Sequence, residues 1–212
     1  LRRAIGRDAI ETRGAGYMVR VDADALDLQV LERLARDGSG ALHDGRFDDA
    51  VRSLREALAL WRGTALADLA DEPFLDLEAA RLEEMRLLVL ERVLEAEIGR
   101  GRHADALMEV DALVSAHPLR ERPRELQMRA LYGAGRQADA LEAYRAARAV
   151  FVDQLGIEPG PALQDLEAAI LRQDPALAPA RADPPERPRA EASAAVRTLL
   201  VTSLGAAPTR GL

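Results

Sequence analysis

A chain of 212 residues, of which 48% are hydrophobic, has enough apolar material for one large or two small domains, and this excludes disorder throughout. All 29 basic residues are arginine, and 36 acidic residues outnumber them to give a net charge of −7, which argues against a general nucleic-acid binder. The aromatic content of 3% and the abundance of Ala and Leu nearly exclude an all-β fold and favour helices.

The segment 1–21 differs in pattern from the rest of the chain. Gly6 is suited to end a short helix over 1–5, because glycine accepts the left-handed conformation common at helix ends. Apolar and polar residues then alternate in 10–12 and 17–21 on either side of Arg13-Gly14-Ala15-Gly16, which predicts a β-hairpin. A lone hairpin is marginal in water, so a disordered chain end is the alternative.

A helix end followed by a hairpin with arginine at its tip is the arrangement by which a winged-helix module contacts DNA. The candidate DNA-binding residues are accordingly Arg2, Arg3, Thr12 and Arg13. Guanidinium groups placed near phosphates displace counterions, which favours binding. The alternative is that these are ordinary surface residues of a chain that uses arginine for every basic position.

Helical periodicity begins after Asp22 and predicts two helices. Gly38 and Gly40 weaken the first helix near its end, and the second helix extends from Phe47 to Trp61. The apolar face of the first helix consists of Leu26, Val30, Leu31 and Leu34.

A strong helix-start signal follows at Asp71-Glu72-Pro73, where a capping carboxylate precedes a proline in the first turn. The helix that it predicts extends to Arg100 and is apolar around much of its middle. Such a helix must be covered on more than one side.

The motif Gly-Arg-x-x-Asp-Ala occurs three times, at 45–50, 101–106 and 135–140. The second and third copies begin at Gly101 and Gly135, a spacing that matches the tetratricopeptide period of about 34 residues. The first copy begins at Gly45, so the interval between the first and second copies is longer than the interval between the second and third. The longer interval has room for one more helix, which would interrupt the regular stacking. Residues suited to close helix packing recur at fixed later offsets: Leu54 and Ala57, Val110 and Leu113, Tyr144 and Ala147.

The helical region ends with a last helix. Gly156 stops the helix before it, the segment 159–161 makes a rigid turn, and Pro161 suits the first position of the last helix. Residues 175–212 are rich in Ala, Pro and Arg, which is typical of a linker, and only 196–204 has a strand-like pattern. The apolar stripe expected to cap the stack is Leu163, Leu166 and Ile170.

No catalytic, cofactor or metal site is predicted. The histidines His43, His103 and His117 are isolated and lack the spacing of metal ligands, and a chain without lysine has no Gly-x-x-x-x-Gly-Lys phosphate loop. Since no pattern in the sequence resembles an active site, we expect a protein that is not an enzyme. With no cysteine and no apolar run long enough for a bilayer, we expect it to be cytoplasmic and not to enter a membrane. Because the chain begins with Leu, we expect a fragment of a longer protein.

The charge is unevenly distributed. Residues 1–20 carry five arginines against two acids and residues 179–212 carry five against three, which leaves a balance of −12 for the middle. An acidic body between basic ends suggests a different partner for each. A groove in an acidic repeat body is expected to be acidic and to favour a basic peptide or helix.

Seven short motifs occur in a fixed order: ALALWRG at 57–63, LADEPF at 69–74, RLEE at 81–84, HPLRE at 117–121, LY at 131–132, GRQADA at 135–140 and LGIEPGP at 155–161. In this order they resemble the bacterial transcriptional activator domain (BTAD) of the actinomycete antibiotic regulatory protein (SARP) family. The resemblance covers residues 22–174 and implies an all-α, tetratricopeptide-like fold.

The family resemblance also implies a place for the first residues. Residues 1–21 resemble the tail of the recognition helix and the wing of a winged-helix domain, so that most of the recognition helix would precede Leu1. Family members are implied to bind promoter DNA through that domain, to engage RNA polymerase and to form homo-oligomers through the helical body. No cofactor is implied.

Two other interpretations stay open. One is a stand-alone repeat scaffold for protein assembly. The other is the regulatory front of a larger ATPase or nucleotidyl cyclase, because residues 197–202 faintly resemble the opening strand of the cyclase kind.

Overall fold

The computed structural model describes residues 10–14, 16–19, 26–67 and 75–177. Within these ranges a β-hairpin precedes seven α-helices, which confirms the predicted all-α, tetratricopeptide-like fold. The strands are β1 (Ile10–Arg13) and β2 (Gly16–Val19), and the helices are α1 (Asp27–His43), α2 (Phe47–Leu58), α3 (Asp76–Gly99), α4 (His103–Ala116), α5 (Glu121–Gly133), α6 (Gln137–Leu155) and α7 (Pro161–Leu171), followed by a 3-10 turn at Pro175–Leu177. None of the helices in these ranges has the length and apolar character needed to cross a membrane.

Several predicted features lie outside the described residues. They are the short helix at 1–5, the helix-start signal at 71–73, most of the linker at 175–212 and its strand-like run at 196–204.

The hairpin is antiparallel, and Gly14 lies in the turn that follows β1. Thr12 pairs with Tyr17, and Arg13 pairs with Gly16 beside the loop. Gly14 has a φ of +56°, a conformation that two-residue hairpin loops need and that glycine adopts without strain. The predicted hairpin is therefore confirmed.

The helices stack as three antiparallel pairs, to which α7 is added. Helix α1 packs on α2, α3 on α4 and α5 on α6, while the second helix of each pair also packs on the first helix of the next. The motif alanines and the predicted packing positions after them are all buried between these helices. They are Ala50, Leu54 and Ala57, then Ala106, Val110 and Leu113, then Ala140, Tyr144 and Ala147.

The three motif copies form the same turn. Their glycines, Gly45, Gly101 and Gly135, have φ values of +73°, +82° and +77°, where glycine alone is unstrained. In each turn the N–H of the next arginine donates to the carbonyl five positions earlier at 2.9 Å, which is the Schellman arrangement that ends helices. Each arginine then precedes a helix and pairs with the aspartate of its motif: Arg46 with Asp49 at 3.2 Å, Arg102 with Asp105 at 3.1 Å and Arg136 with Asp139 at 2.6 Å.

Helix α3 is covered on two sides, as its apolar sequence predicts. One set of its residues faces the core with α1 and α2, and another faces the core with α4 and α5. Helix α3 begins at Asp76 and has Leu75 at its N-cap position, and the predicted start signal at 71–73 lies outside the described residues. Asp76 and Glu78 place negative charge in the first turn, where the helix dipole favours it. The first set is Val89, Val93 and Ala96, and the second includes Leu94.

The longer interval between the first two motifs does not hold an additional helix in the described ranges. Helix α3 has 24 residues where α5 has 13, so part of the additional length is a longer helix. Helix α2 ends at Leu58 rather than at the predicted Trp61. Leu60 and Trp61 still pack against the core formed by α1, α2 and α3. The apolar pattern at these two residues therefore indicates burial, although the helix has already ended.

Helix α1 continues through both of its glycines to His43. A Cβ at Gly38 would lie 2.6 Å from Cγ of Leu54 on α2, so this glycine permits the close approach of the two helices. At the other end of the stack, Gly156 ends α6 with a φ of +68° and Pro161 begins α7, as predicted. The predicted stripe of α7 is buried against α5 and α6: Leu163, Leu166 and Ile170.

Candidate functional site

The first helices of the pairs, together with α7, line a groove along one side of the stack. Its largest cavity has a volume of about 660 Å³. A cavity of this size falls in the range of ~300–1,000 Å³ that is typical of binding sites. The side chains that give the groove its chemical character include Phe47, Arg92, Glu95, His103, Arg129 and Tyr132.

The floor of the groove contains two seams, each formed where a ring at the start of one helix lies on a glycine at the end of another. In the Phe47 seam, a Cβ added to Gly99 would lie 2.5 Å from the phenyl ring. In the His103 seam, a Cβ added to Gly133 would likewise overlap the imidazole ring. Both rings occupy the third position of the repeated motif, so the motif places them on the floor.

His103 is unusual in its polarity. Both of its ring nitrogens are shielded from solvent, and neither has a hydrogen-bond partner in the part of the chain that the structure describes. Burial lowers the pKa of His103 because desolvation penalises the charged imidazolium. Across the described ranges, three or more His, Asp or Glu side chains do not gather into a group that would hold a metal ion.

Arginines of α5 neutralise the carboxylates beside the groove. Arg122 contacts both Glu95 of α3 and Glu125 of α5 at 2.6 Å, and Arg129 contacts Glu125 at 3.0 Å. Burial by itself would lower the pKa of Arg122. The hydrogen bonds to the two glutamates have the opposite and larger combined effect, so the pKa of Arg122 is raised. These contacts tie α3 to α5.

A second set of ion pairs surrounds Arg120, which precedes α5. Arg120 contacts the buried Glu91 and, at 2.8 Å, the exposed Glu84. The hydrogen bond to Glu91, followed by the one to Glu84, raises the pKa of Arg120, and Arg120 in turn lowers the pKa of Glu84. A buried carboxylate is tolerated because it is paired in this way.

Arg92 of α3 differs from these arginines, although three neighbouring cavities of the groove share it. Its guanidinium donates a hydrogen bond to Oγ of Ser39 on α1, and the Ser39 hydroxyl donates to the carbonyl of Ala35. Within residues 26–67 and 75–177 it has no carboxylate partner. Since a guanidinium carries five N–H donors, most of its donors stay available for a ligand.

The groove is not acidic, so the expectation drawn from the charge of the body was wrong. The three cavities around Arg92 are lined by five arginines and three glutamates. Two of these glutamates, Glu91 and Glu95, are engaged by Arg120 and Arg122. The acidic excess of the body lies outside the residues that line these cavities.

The hairpin carries two of the predicted DNA-contacting residues. Thr12 and Arg13 lie at the loop end of β1, and both side chains are exposed. Arg2 and Arg3, the other two, lie outside the described residues. The structure therefore brings Thr12 and Arg13 together at the tip of the hairpin.

Sequence reasoning missed Arg92. The chain has 29 arginines, and no local pattern separates Arg92 from a paired residue such as Arg122. The difference between them is the position of carboxylates on other helices, which is a property of the fold. A partial signal was available, because Leu88 and Arg92 are one turn apart and share a face of α3.

Comparison with known proteins places the helical region among regulators. Residues 26–171 match the family model described as the bacterial transcriptional activator domain. Regulatory protein DnrI of Streptomyces peucetius is 43% identical over 171 residues, which are 81% of this chain and 63% of DnrI. Regulatory protein AfsR of Streptomyces griseus is 42% identical over 178 residues, which are 84% of this chain and 18% of AfsR.

A solved structure shares the fold. The structure of Mycobacterium tuberculosis EmbR in complex with a low-affinity phosphopeptide superimposes with a TM-score of 0.78 at 37% identity. The match covers 82% of this chain and 48% of the EmbR chain. This chain thus spans less than two thirds of the length of each of these three relatives.

Proposed function

The chain belongs to the bacterial transcriptional activator domain family, and we propose that it is the helical-repeat region of a longer transcriptional regulator. The observation that carries the proposal is the match, over most of the chain, to proteins named as regulators. That match favours regulation over catalysis and over a stand-alone scaffold. In this proposal residues 22–174 are the activator domain and residues 175–212 are a linker.

Residues 1–21 are, in the same proposal, the end of a winged-helix domain that binds promoter DNA. The hairpin supports this assignment, because its exposed Thr12 and Arg13 lie at the end of β1 where the chain turns. A wing of this kind contacts the DNA backbone or minor groove, where arginine is favoured electrostatically. Arg2 and Arg3 would contact DNA from the tail of the recognition helix.

The helical body has a different role in the proposal. Stacked helical pairs present a long groove to other proteins, and such surfaces bind peptides or helices. We assign to this body the contacts with RNA polymerase and with a second copy of the regulator. Promoter recognition and protein contact are then carried by separate parts of the chain.

The test of the proposed function is promoter binding by the full-length protein. Arg13→Ala should weaken binding to a labelled promoter duplex and reduce the slope of log affinity against log salt by about one unit, because one phosphate contact is lost. Fluorescence anisotropy at a series of salt concentrations measures both quantities.

Arg52→Ala is the matched control, since Arg52 is an exposed arginine of the helical body whose side chain is 71% accessible. It should leave affinity and slope unchanged. An unchanged slope for Arg13→Ala would remove the wing assignment, and equal affinity for promoter and random duplex would contradict promoter recognition.

A further inference from the structure

Of the five arginines that line the groove, Arg92 and Arg36 have no carboxylate partner in the described part of the chain, and Arg92 lines all three of the cavities. Its neighbours Arg120, Arg122 and Arg129 each contact at least one glutamate. Arg92 contacts only the Ser39 hydroxyl within the described ranges, and this contact fixes the guanidinium across the gap between α3 and α1. A guanidinium that is positioned, accessible and without a carboxylate is suited to recognise one on a ligand.

Apolar surface accompanies this charge. Leu88, one turn before Arg92 on α3, is 44% exposed and lines two of the cavities that Arg92 also lines. On the other side of Arg92, the largest cavity is lined by Phe47, Ile98 and Tyr132. A ligand that reaches Arg92 therefore meets large apolar side chains in both directions along the groove.

The remaining charges around Arg92 also favour a negatively charged ligand. Arg36 of α1 lines the cavity of about 410 Å³ that also contains Arg92 and Leu88. That cavity contains these two arginines and one carboxylate, Glu32, so its charge is net positive. The glutamates on the other side are already bound by arginine, so a basic ligand would have to compete for them.

We propose that this groove binds an acidic peptide segment of a partner protein, with a carboxylate on Arg92 and neighbouring apolar side chains on Leu88 and on the Phe47, Ile98 and Tyr132 surface. The proposal rests on the proposed function, in which the helical body makes protein contacts, and it gives the chemistry of the partner. It reverses the preference for a basic partner that the acidic composition predicts. The selection is electrostatic, because opposite charge meets an available guanidinium while a basic segment meets an excess of arginine.

The test is a fluorescence-anisotropy titration of the full chain with labelled peptides built from repeats of Glu-Leu-Leu-Glu, and with the same peptides carrying Lys in place of Glu. The Glu peptide should bind saturably and more weakly as salt is raised, since the contact is charge-based. The Lys peptide should bind more weakly by roughly tenfold, as expected for reversed charge at a complementary site.

Arg92→Glu should weaken binding of the Glu peptide by roughly tenfold and narrow the difference between the two peptides. Arg36→Glu is a second variant and should produce a smaller loss, because Arg36 lines one of the three cavities that Arg92 lines. Arg145→Glu is the matched control, since Arg145 lies on α6, outside the groove, and makes one exposed ion pair with Glu142. It should leave peptide binding within about twofold, as surface ion pairs contribute little.

Three results would overturn the proposal: no saturable binding of the Glu peptide, binding of the Lys peptide at least as tight, or wild-type binding by Arg92→Glu. The promoter-binding assay on the full-length protein, wild type and Arg13→Ala, keeps this failure separate from failure of the proposed function. Promoter binding that depends on Arg13, with no dependence of peptide binding on Arg92, would refute the acidic partner alone. The converse pattern would refute the wing and leave the groove assignment in place.

Discussion

The two seams on the groove floor share a backbone geometry and differ in chemistry. In the first, Phe47 at the start of α2 lies on Gly99 at the end of α3, and in the second, His103 at the start of α4 lies on Gly133 at the end of α5. Both rings are the third residue of a motif whose glycine turn has the same conformation. The motif therefore determines where the side chain lies, while the identity of the side chain is left to other constraints.

The difference between the rings has physical consequences. Phe47 fills its seam with an apolar ring, whereas His103 brings two buried nitrogens that have no hydrogen-bond partner among the described residues. An unsatisfied buried polar group destabilises the folded state relative to an apolar ring of similar size. Equivalent positions of the repeat can thus hold a contact that does not depend on pH, as at Phe47, or a contact that weakens at low pH, as at His103.

The largest expected effect is the loss of the Phe47 ring. Phe47→Ala should lower the free energy of unfolding by about 2–3 kcal/mol, because removing a large, partly buried ring leaves a cavity. His103→Ala should lower it by about 1 kcal/mol or less, since the smaller ring also removes two unsatisfied nitrogens. Urea denaturation at neutral pH measures both. Equal losses would break the distinction between the seams.

An intermediate effect is expected at the glycine under the phenyl ring. Gly99→Ala should lower the free energy of unfolding by about 1–2 kcal/mol, because the added methyl group overlaps the Phe47 ring and this outweighs the gain in helix propensity. The control is Gly40→Ala, whose Cβ would have no neighbour within 4 Å. It should raise stability by up to about 1 kcal/mol. A stabilising Gly99→Ala would show that the ring is free to move.

The smallest effect is the pH dependence of the His103 seam. The pKa of His103 is lowered in the folded protein. Above the ordinary imidazole pKa of about 6.5, the His103 ring is therefore neutral in both the folded and the unfolded chain, and its protonation does not reduce the free energy of unfolding. As the pH falls below that value, the unfolded chain takes up a proton that the folded protein resists, and the free energy of unfolding decreases.

His103→Phe, which copies the first seam, should remove this part of the acid sensitivity. The stability difference between His103→Phe and the wild type should therefore grow as the pH falls from about 7 to about 5. Denaturant titrations across that range measure this difference. A difference that does not vary with pH would contradict a pH-sensitive His103 seam.

The repeat architecture could be predicted from the sequence because it depends on local chemistry. Gly45, Gly101 and Gly135 each permit the same left-handed turn, and the residues that follow at fixed offsets are buried in every copy. The same locality misled at one helix boundary, because the apolar Trp61 is packed but not helical.

The charge of the groove could not be predicted because it depends on pairing between helices. Glu95 and Arg122 are far apart in sequence and lie 2.6 Å apart in the fold, so the total charge of the body says little about this surface. Arg92, which lines all three cavities of the groove, lacks such a partner within the described part of the chain. The position of Thr12 and Arg13 at the hairpin tip could be predicted from the sequence, because the two residues are neighbours on one strand.

The central claim is that this helical-repeat chain belongs to a regulator that acts at promoters, and the most direct measurement is a genome-wide map of where the full-length protein binds. We expect discrete sites upstream of genes, with occupancy that falls in Arg13→Ala and persists in Arg52→Ala. Uniform low occupancy without enrichment upstream of genes, or sites unaffected by Arg13→Ala, would contradict the claim.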